Sequence, residues 1–251
     1  MFDKYIERKN DVNSVLLVGL DSDINRIDGD ILDFNKKIID ETFDLVCGYK
    51  INIAFYEKLG PKGLEILEKT IEYIKYNPDI PIILDAKRGD IGNTAKAYAE
   101  YYFEKLKIDS LTINPLMGID TLEPYLEYNN SHVFALALTS NKGAYDFEIP
   151  GELYLKIAKK MNELNKKHRN KIGIVVGATN AKFIKEITAV TDNMLFLIPG
   201  IGSQGGSIEA LFNNLNGYDN IVINVSRAII FDENPRKKVI EFNNVINKWR
   251  E

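Results

Sequence analysis

The block Asp85-Ala86-Lys87-Arg88-Gly89-Asp90 follows directly on the apolar run Ile80-Pro81-Ile82-Ile83-Leu84. That run reads as a buried strand. Alternation along a strand sends Asp85 and Lys87 to one side and Ala86 to the other. A carboxylate and an ammonium therefore meet at a strand end, with Asp90 beyond a flexible Gly89. Such groups are costly to desolvate, and strand ends are where α/β proteins build their sites. Fixed charges there are the means of electrostatic catalysis. The competing interpretation is a structural ion pair, with Asp90 capping the next helix.

Two earlier strand ends add to the block. Gly19-Leu20-Asp21 puts Asp21 at the end of a first strand, and Gly48-Tyr49-Lys50 puts Lys50 on a second. Neighbouring strands lie about 4.8 Å apart. Asp21, Lys50, Asp85 and Lys87 are therefore expected to form a row of alternating charge across one mouth. One strand-end charge is usually solvated; four on three consecutive strands point to function.

A second cluster lies in Ile198-Pro199-Gly200-Ile201-Gly202-Ser203-Gln204-Gly205-Gly206. Gly200, Gly202 and Gly205 match G-x-G-x-x-G formally, but the motif follows the seventh strand and lacks the acidic residue about 20 positions on. The glycines instead suit backbone N–H groups closing on a phosphate, with a helix from Ser207 offering its positive end. Arg227, in Asn224-Val225-Ser226-Arg227, is placed to grip that phosphate bidentately. Tight turns and a surface arginine are the alternative. The polar loop 139–144 has a composition suited to a lid, and Asn93-Thr94 starts a helix holding Tyr98, Tyr101 and Tyr102. His132 reads as structural, His168 as part of a solvated face, and Cys47 as packing.

Strands and helices must carry these residues. Strand-like runs fall at 15–20, 45–51, 82–86, 110–113, 133–138, 172–176, 194–198 and 221–225. Most are continuously apolar and β-branched, as in strands covered on both faces. Amphipathic helices lie between most of them: Leu64, Leu67, Ile71 and Ile74 share one stripe, Phe34, Ile38, Ile39 and Phe43 another, and Val239, Phe242, Val245 and Trp249 a last one. The alternation predicts an α/β fold, a (β/α)8 TIM barrel forming a single domain over 1–251. A doubly wound open sheet is the second choice, because alternation does not prove closure.

The net charge of −4 provides no basic field for nucleic acid or an anionic membrane. No apolar run approaches the length of a membrane span, and the first residues lack a signal-peptide core. One cysteine and two histidines make a disulfide or a zinc cluster unexpected. The expectation is a cytoplasmic protein that binds any anion locally.

Taken together, Leu84-Asp85-Ala86-Lys87-Arg88-Gly89-Asp90-Ile91-Gly92-Asn93-Thr94, Val18-Gly19-Leu20-Asp21, Lys50-Ile51-Asn52, the segment 199–206 and Ser226-Arg227 resemble the orotidine 5′-monophosphate decarboxylase family. The block through Gly92-Asn93-Thr94 is similar to its stand-alone branch, whose barrels carry long helices. The resemblance implies a homodimeric barrel that converts orotidine 5′-monophosphate to UMP and CO2 without metal or organic cofactor, its sites shared at the interface. It implies that Lys87 protonates C6, that Asp85 lies against the substrate carboxylate, and that Lys50 and Asp21 serve the charged row and the ribose. Asp90, Ile91 and Thr94 would reach the partner's site. Gln204 and Arg227, with backbone at Gly202 and Gly205, would hold the phosphate, and Pro199 would also contact the substrate. Ser140 would contact the base amide, although Thr139 offers a second hydroxyl. Two alternatives stay open: a Mg²⁺-dependent sugar-phosphate decarboxylase of the same superfamily, disfavoured by Lys50 where an acidic ligand is needed, and an inactive phosphate-ligand-binding barrel.

Overall fold

The computed structural model describes residues 2–250, so Met1 and Glu251, the outer bounds of the predicted domain, lie outside the described residues. Eight parallel strands close into a barrel in sequence order: β1 (Leu16–Leu20), β2 (Gly48–Asn52), β3 (Ile82–Arg88), β4 (Ser110–Ile113), β5 (His132–Leu138), β6 (Ile172–Val176), β7 (Phe196–Pro199) and β8 (Ile221–Val225). Closure is explicit in the pairing of β1 with β8, Leu17 opposite Asn224. The open sheet is thereby excluded.

Two strands start two or three residues later than their apolar runs suggested. Leu45 closes a turn back to Thr42, and Arg8 bonds the Val46 carbonyl, so these residues pack at the barrel's base before β2 begins at Gly48. Ahead of β7, the Tyr218 hydroxyl bonds both the backbone N–H and the carbonyl of Met194, taking the place of ladder partners. The last helix, Pro235–Arg250, buries Val239 and Ile246, while Val245 and Trp249 remain 44% and 41% exposed. The predicted stripe was therefore rotated; Ile246 belongs on the covered face.

The barrel interior is packed by Leu17, Ile83, Phe134, Val175, Leu197 and Val222 among others. Burying each such side chain stabilises the fold by about 1.5–3 kcal/mol. A helix ahead of the barrel, Phe2–Asp11, plugs its lower end. Tyr5 inserts there, its hydroxyl donating to Ser110 Oγ at 2.9 Å, and Lys4 pairs with Asp109 at 3.0 Å. His132 lies in this floor, edge-on to Phe134, and burial pushes its pKa down to about 3. It is a neutral core residue. The helix closes the lower end, and the cavity among the strand ends opens at the C-terminal mouth.

Candidate active site

At the mouth, β1, β2 and β3 bring the four predicted charges together. Asp85 is the hub. Its Oδ1 accepts from Lys87 Nζ at 2.7 Å and from Thr112 Oγ1 at 2.9 Å, and its Oδ2 accepts from Lys50 Nζ at 3.1 Å. Lys50 Nζ also lies 3.7 Å from Asp21 Oδ1. Lys50 is only 4% exposed, whereas the Lys87 side chain is half exposed and reaches into the cavity. Burial opposes the Lys50 ammonium, but Asp85 and Asp21 together outweigh it and hold its pKa above the ordinary lysine value. Burial likewise works against the Asp85 carboxylate; Lys50 and Lys87 overcome it and hold the carboxyl well below the usual range. Lys50 and Asp85 are therefore ionised before any ligand arrives.

Lys87 reaches this position through an irregularity. Its φ is +46°, the left-handed region that a side-chain-bearing residue enters at a cost of about 1–2 kcal/mol. The register between β3 and β4 slips between Leu84 and Arg88. Three polar contacts hold the bulge: Lys87 N–H donates to Thr112 Oγ1 at 2.9 Å, Asn114 N–H to the Arg88 carbonyl at 2.7 Å, and Arg88 Nη1 to the Ala86 carbonyl at 3.2 Å. Arg88 is itself held by Glu57 and by the Tyr102 hydroxyl, which accepts from Nε at 2.7 Å. Tyr102 sits on a wide π-helical turn, Glu100–Lys105. Gly89 is required for close approach, since a Cβ there would meet the Asn114 carbonyl at 2.7 Å.

The opposite wall differs. Leu136, Val175 and Leu197 form an apolar surface from β5, β6 and β7. Above it stand Pro199, Gly200, Ile201, Ser203 and Gln204, with Arg227 arriving just after β8. Gly200, Gly202 and Gly205 all have positive φ, which curls the loop tightly. Within the curl the Gly205 N–H bonds the Gly202 carbonyl and the Gly206 N–H the Gly200 carbonyl. Neither Gly202 nor Gly205 lines the cavity. The expected helix does start after Ser207, whose side chain caps it by accepting from Ala210 N–H.

Other predicted residues are placed as follows. Thr139 lines the cavity and Ser140 does not; the Ser140 carbonyl accepts from Thr179. Asp90, Ile91 and Thr94 stand outside the cavity of this chain, with Ile91 and Thr94 exposed. Asp90 does not cap the following helix through its N2 or N3 amides; its carboxylate accepts from the adjacent Ile91 N–H. Residues given no role beforehand also line the cavity: Asn52, Thr112, Asn224 and Ser226. Three of them stood inside or beside quoted motifs, but Thr112 carried no signal beyond its place in the fourth apolar run. Among the described residues, no group of three or more His, Cys, Asp and Glu is arranged to hold a metal ion.

The chain is similar to known proteins. The profile described as "Orotidine 5'-phosphate decarboxylase / HUMPS family" matches residues 14–242. An orotidine 5'-phosphate decarboxylase of Flavobacterium johnsoniae is 45% identical over 229 residues, 87% of this chain and 84% of that protein. Its counterpart in Porphyromonas gingivalis is 41% identical over 247 residues, 93% and 88% of the two chains. The structure of Leishmania donovani OMP decarboxylase superposes with a TM-score of 0.89 at 34% identity, covering 99% of this chain and 98% of that one. The chain belongs to the orotidine 5'-phosphate decarboxylase / HUMPS family.

Proposed function

We propose that this chain decarboxylates orotidine 5′-monophosphate to UMP and CO2, with Lys87 as the acid that protonates C6. The observation that carries the reading is Asp85 gripping Lys50 and Lys87 at once, facing an apolar wall. The family description spans two kinds of enzyme, and the relatives at 41–45% identity are named for orotidine 5′-phosphate. Lys50 stands where a metal-dependent sugar-phosphate decarboxylase of the superfamily would need an acidic ligand, which disfavours that alternative.

Loss of CO2 from C6 leaves an sp² carbanion with no adjacent carbonyl to take up its charge. Preorganised groups then have to stabilise it, chiefly the Lys87 ammonium, which also supplies the proton. Repulsion between Asp85 and the substrate carboxylate contributes about 4 kcal/mol at 4 Å and an effective dielectric near 20. That is roughly three powers of ten in rate, well short of what unreactive substrates require. Contacts of Arg227 and Gln204 with the phosphate add binding energy that is used at the reacting carbon if loops close over the base. The test is loss of substrate absorbance on adding orotidine 5′-monophosphate with EDTA present. Turnover unaffected by EDTA is expected; no turnover, or turnover only with added Mg²⁺, would contradict the reading.

The working unit in this proposal is a homodimer in the cytoplasm. Ile91, Leu116 and Met117 are 46%, 63% and 57% exposed on neighbouring loops beside the mouth, an apolar surface suited to a second copy. Asp90, Ile91 and Thr94 would enter the partner's cavity from there. Mixing inactive Asp90→Asn and Lys87→Ala chains should then restore part of the activity. No recovery in verified mixed dimers would remove Asp90 from the shared site. Among the described residues no helix is long and apolar enough to cross a membrane.

A further inference from the structure

A second cavity of about 270 Å³ adjoins the active-site cavity. Asp21, Asn52 and Arg227 border both. Its outer wall comes from the loop after β1, with Asp23 and Arg26, and from Phe231, four residues beyond Arg227. The Arg26 guanidinium lies over the Phe231 ring, 3.9 Å from its centroid. Phe34 stacks on the same ring at 5.7 Å, so the helix Ile31–Thr42 braces it. Stacking engages the face of a guanidinium and leaves the N–H donors at its edge available.

The charges around this cavity do not cancel. Asp23 pairs with Lys58 at 2.6 Å, and Asp21 lies 3.7 Å from Lys50, so both carboxylates have a lysine. Arginine ion pairs among the described residues involve Arg88, Arg236 and Arg250, which leaves Arg26 and Arg227 each without a carboxylate. Two uncompensated guanidiniums on one cavity repel each other and attract an anion. Their planar donor forks suit phosphate oxygens. A nucleoside monophosphate with its phosphate at Gln204 and Arg227 answers only one of them. The extension that reaches the other is a second phosphate joined to the first, because Arg227 borders both cavities.

We infer that the side cavity holds the β-phosphate of a nucleoside 5′-diphosphate, gripped by Arg26, and that such compounds compete with the substrate. The inference rests on the nucleotide reading above. It makes Arg26 a binding residue for diphosphates with no part in decarboxylation. Phe231 serves as its platform and fixes the guanidinium at the cavity beforehand, so less ordering cost falls on the complex.

The experiment measures dissociation constants for UMP, UDP and uridine 3′,5′-bisphosphate on wild type, Arg26→Ala and Arg26→Lys, with inhibition of turnover by UDP as a second readout. Arg26 is exposed, so neither substitution opens the core. Wild type is expected to bind UDP about tenfold more tightly than UMP, as for one added charge-assisted contact, and UDP should inhibit competitively. Arg26→Ala should abolish that advantage while leaving UMP affinity and kcat unchanged. Arg26→Lys keeps the charge without the fork and should retain part of it. UDP binding no tighter than UMP on wild type would overturn the assignment. Equal weakening of UMP and UDP in Arg26→Ala would overturn it too, by giving Arg26 to the first phosphate. An advantage for the 3′,5′-bisphosphate and none for UDP would put the second anion on the sugar, against the assignment. Wild-type protein that binds neither UMP nor UDP would instead overturn the nucleotide reading itself.

Discussion

Across β1 to β4 the residues at the open end of the barrel are Asp21, Lys50, Asn52, Asp85, Lys87 and Thr112, whereas β5 to β7 fill the facing wall with Leu136, Val175 and Leu197. Both walls are carried by short parallel strands in one closed sheet. They differ in what they do for each other. Lys50 and Asp85 on the first wall need partners because burial strips them of water, and Asp85 meets that need by serving two lysines. The apolar wall in turn lowers the local dielectric, so the field of the Lys87 ammonium is less screened at whatever carbon lies between. Each wall alone would be ordinary: a solvated ion cluster, or a piece of core.

The strongest challenge to this division is Asp85→Asn. It leaves the buried Lys50 with only Asp21 and strips Lys87 of its anchor. The expected losses are at least about 10³-fold in kcat and about 3–5 kcal/mol of stability, checked by turnover and urea unfolding. A depressed carboxyl contributes stability above the unfolded-state pKa near 4, and the contribution disappears as pH falls through the folded-state value. The stability gap between wild type and Asp85→Asn should therefore narrow below about pH 4. A gap that stays constant with pH would mean the charge is not what the variant removes.

Leu197→Ala sharpens the comparison from the other side. Deleting that core side chain should cost about 2–4 kcal/mol in urea unfolding, with kcat falling less than on the charged wall. A thousandfold rate loss at unchanged stability would erase the distinction between the walls. The smallest effect is expected from Tyr102→Phe, which removes one hydrogen bond to Arg88 and loosens the bulge carrying Lys87. About a three- to tenfold drop in kcat with KM unchanged is expected, from roughly 1 kcal/mol of lost support. A rise in KM with kcat intact would place Arg88 outside the positioning of Lys87.

The two walls also differ in how readily a sequence discloses them. Asp21, Lys50, Asp85 and Lys87 stand out because charges ending apolar runs are costly and need a cause, and the eightfold strand–helix alternation gave the barrel. Leu136, Val175 and Leu197 are invisible by the same logic, since a cavity-lining leucine looks like any core leucine. Thr112 is hidden within an apolar run although it bonds both Asp85 and the Lys87 backbone. The left-handed Lys87 has no local signature either: Arg88, Tyr102 and Glu57 impose it from three different elements. Glycine spacing likewise does not disclose that, in the structure, the Gly205 N–H bonds the Gly202 carbonyl.

Lys87→Ala is the decisive variant. Progress curves for orotidine 5′-monophosphate, run on wild type and Lys87→Ala after both are shown to bind UMP, report directly on the proton donor. The expected result is conversion by wild type and a loss of at least about 10⁴-fold in the variant. A variant that binds UMP and still turns over at close to the wild-type rate would contradict the assignment of Lys87 as the acid.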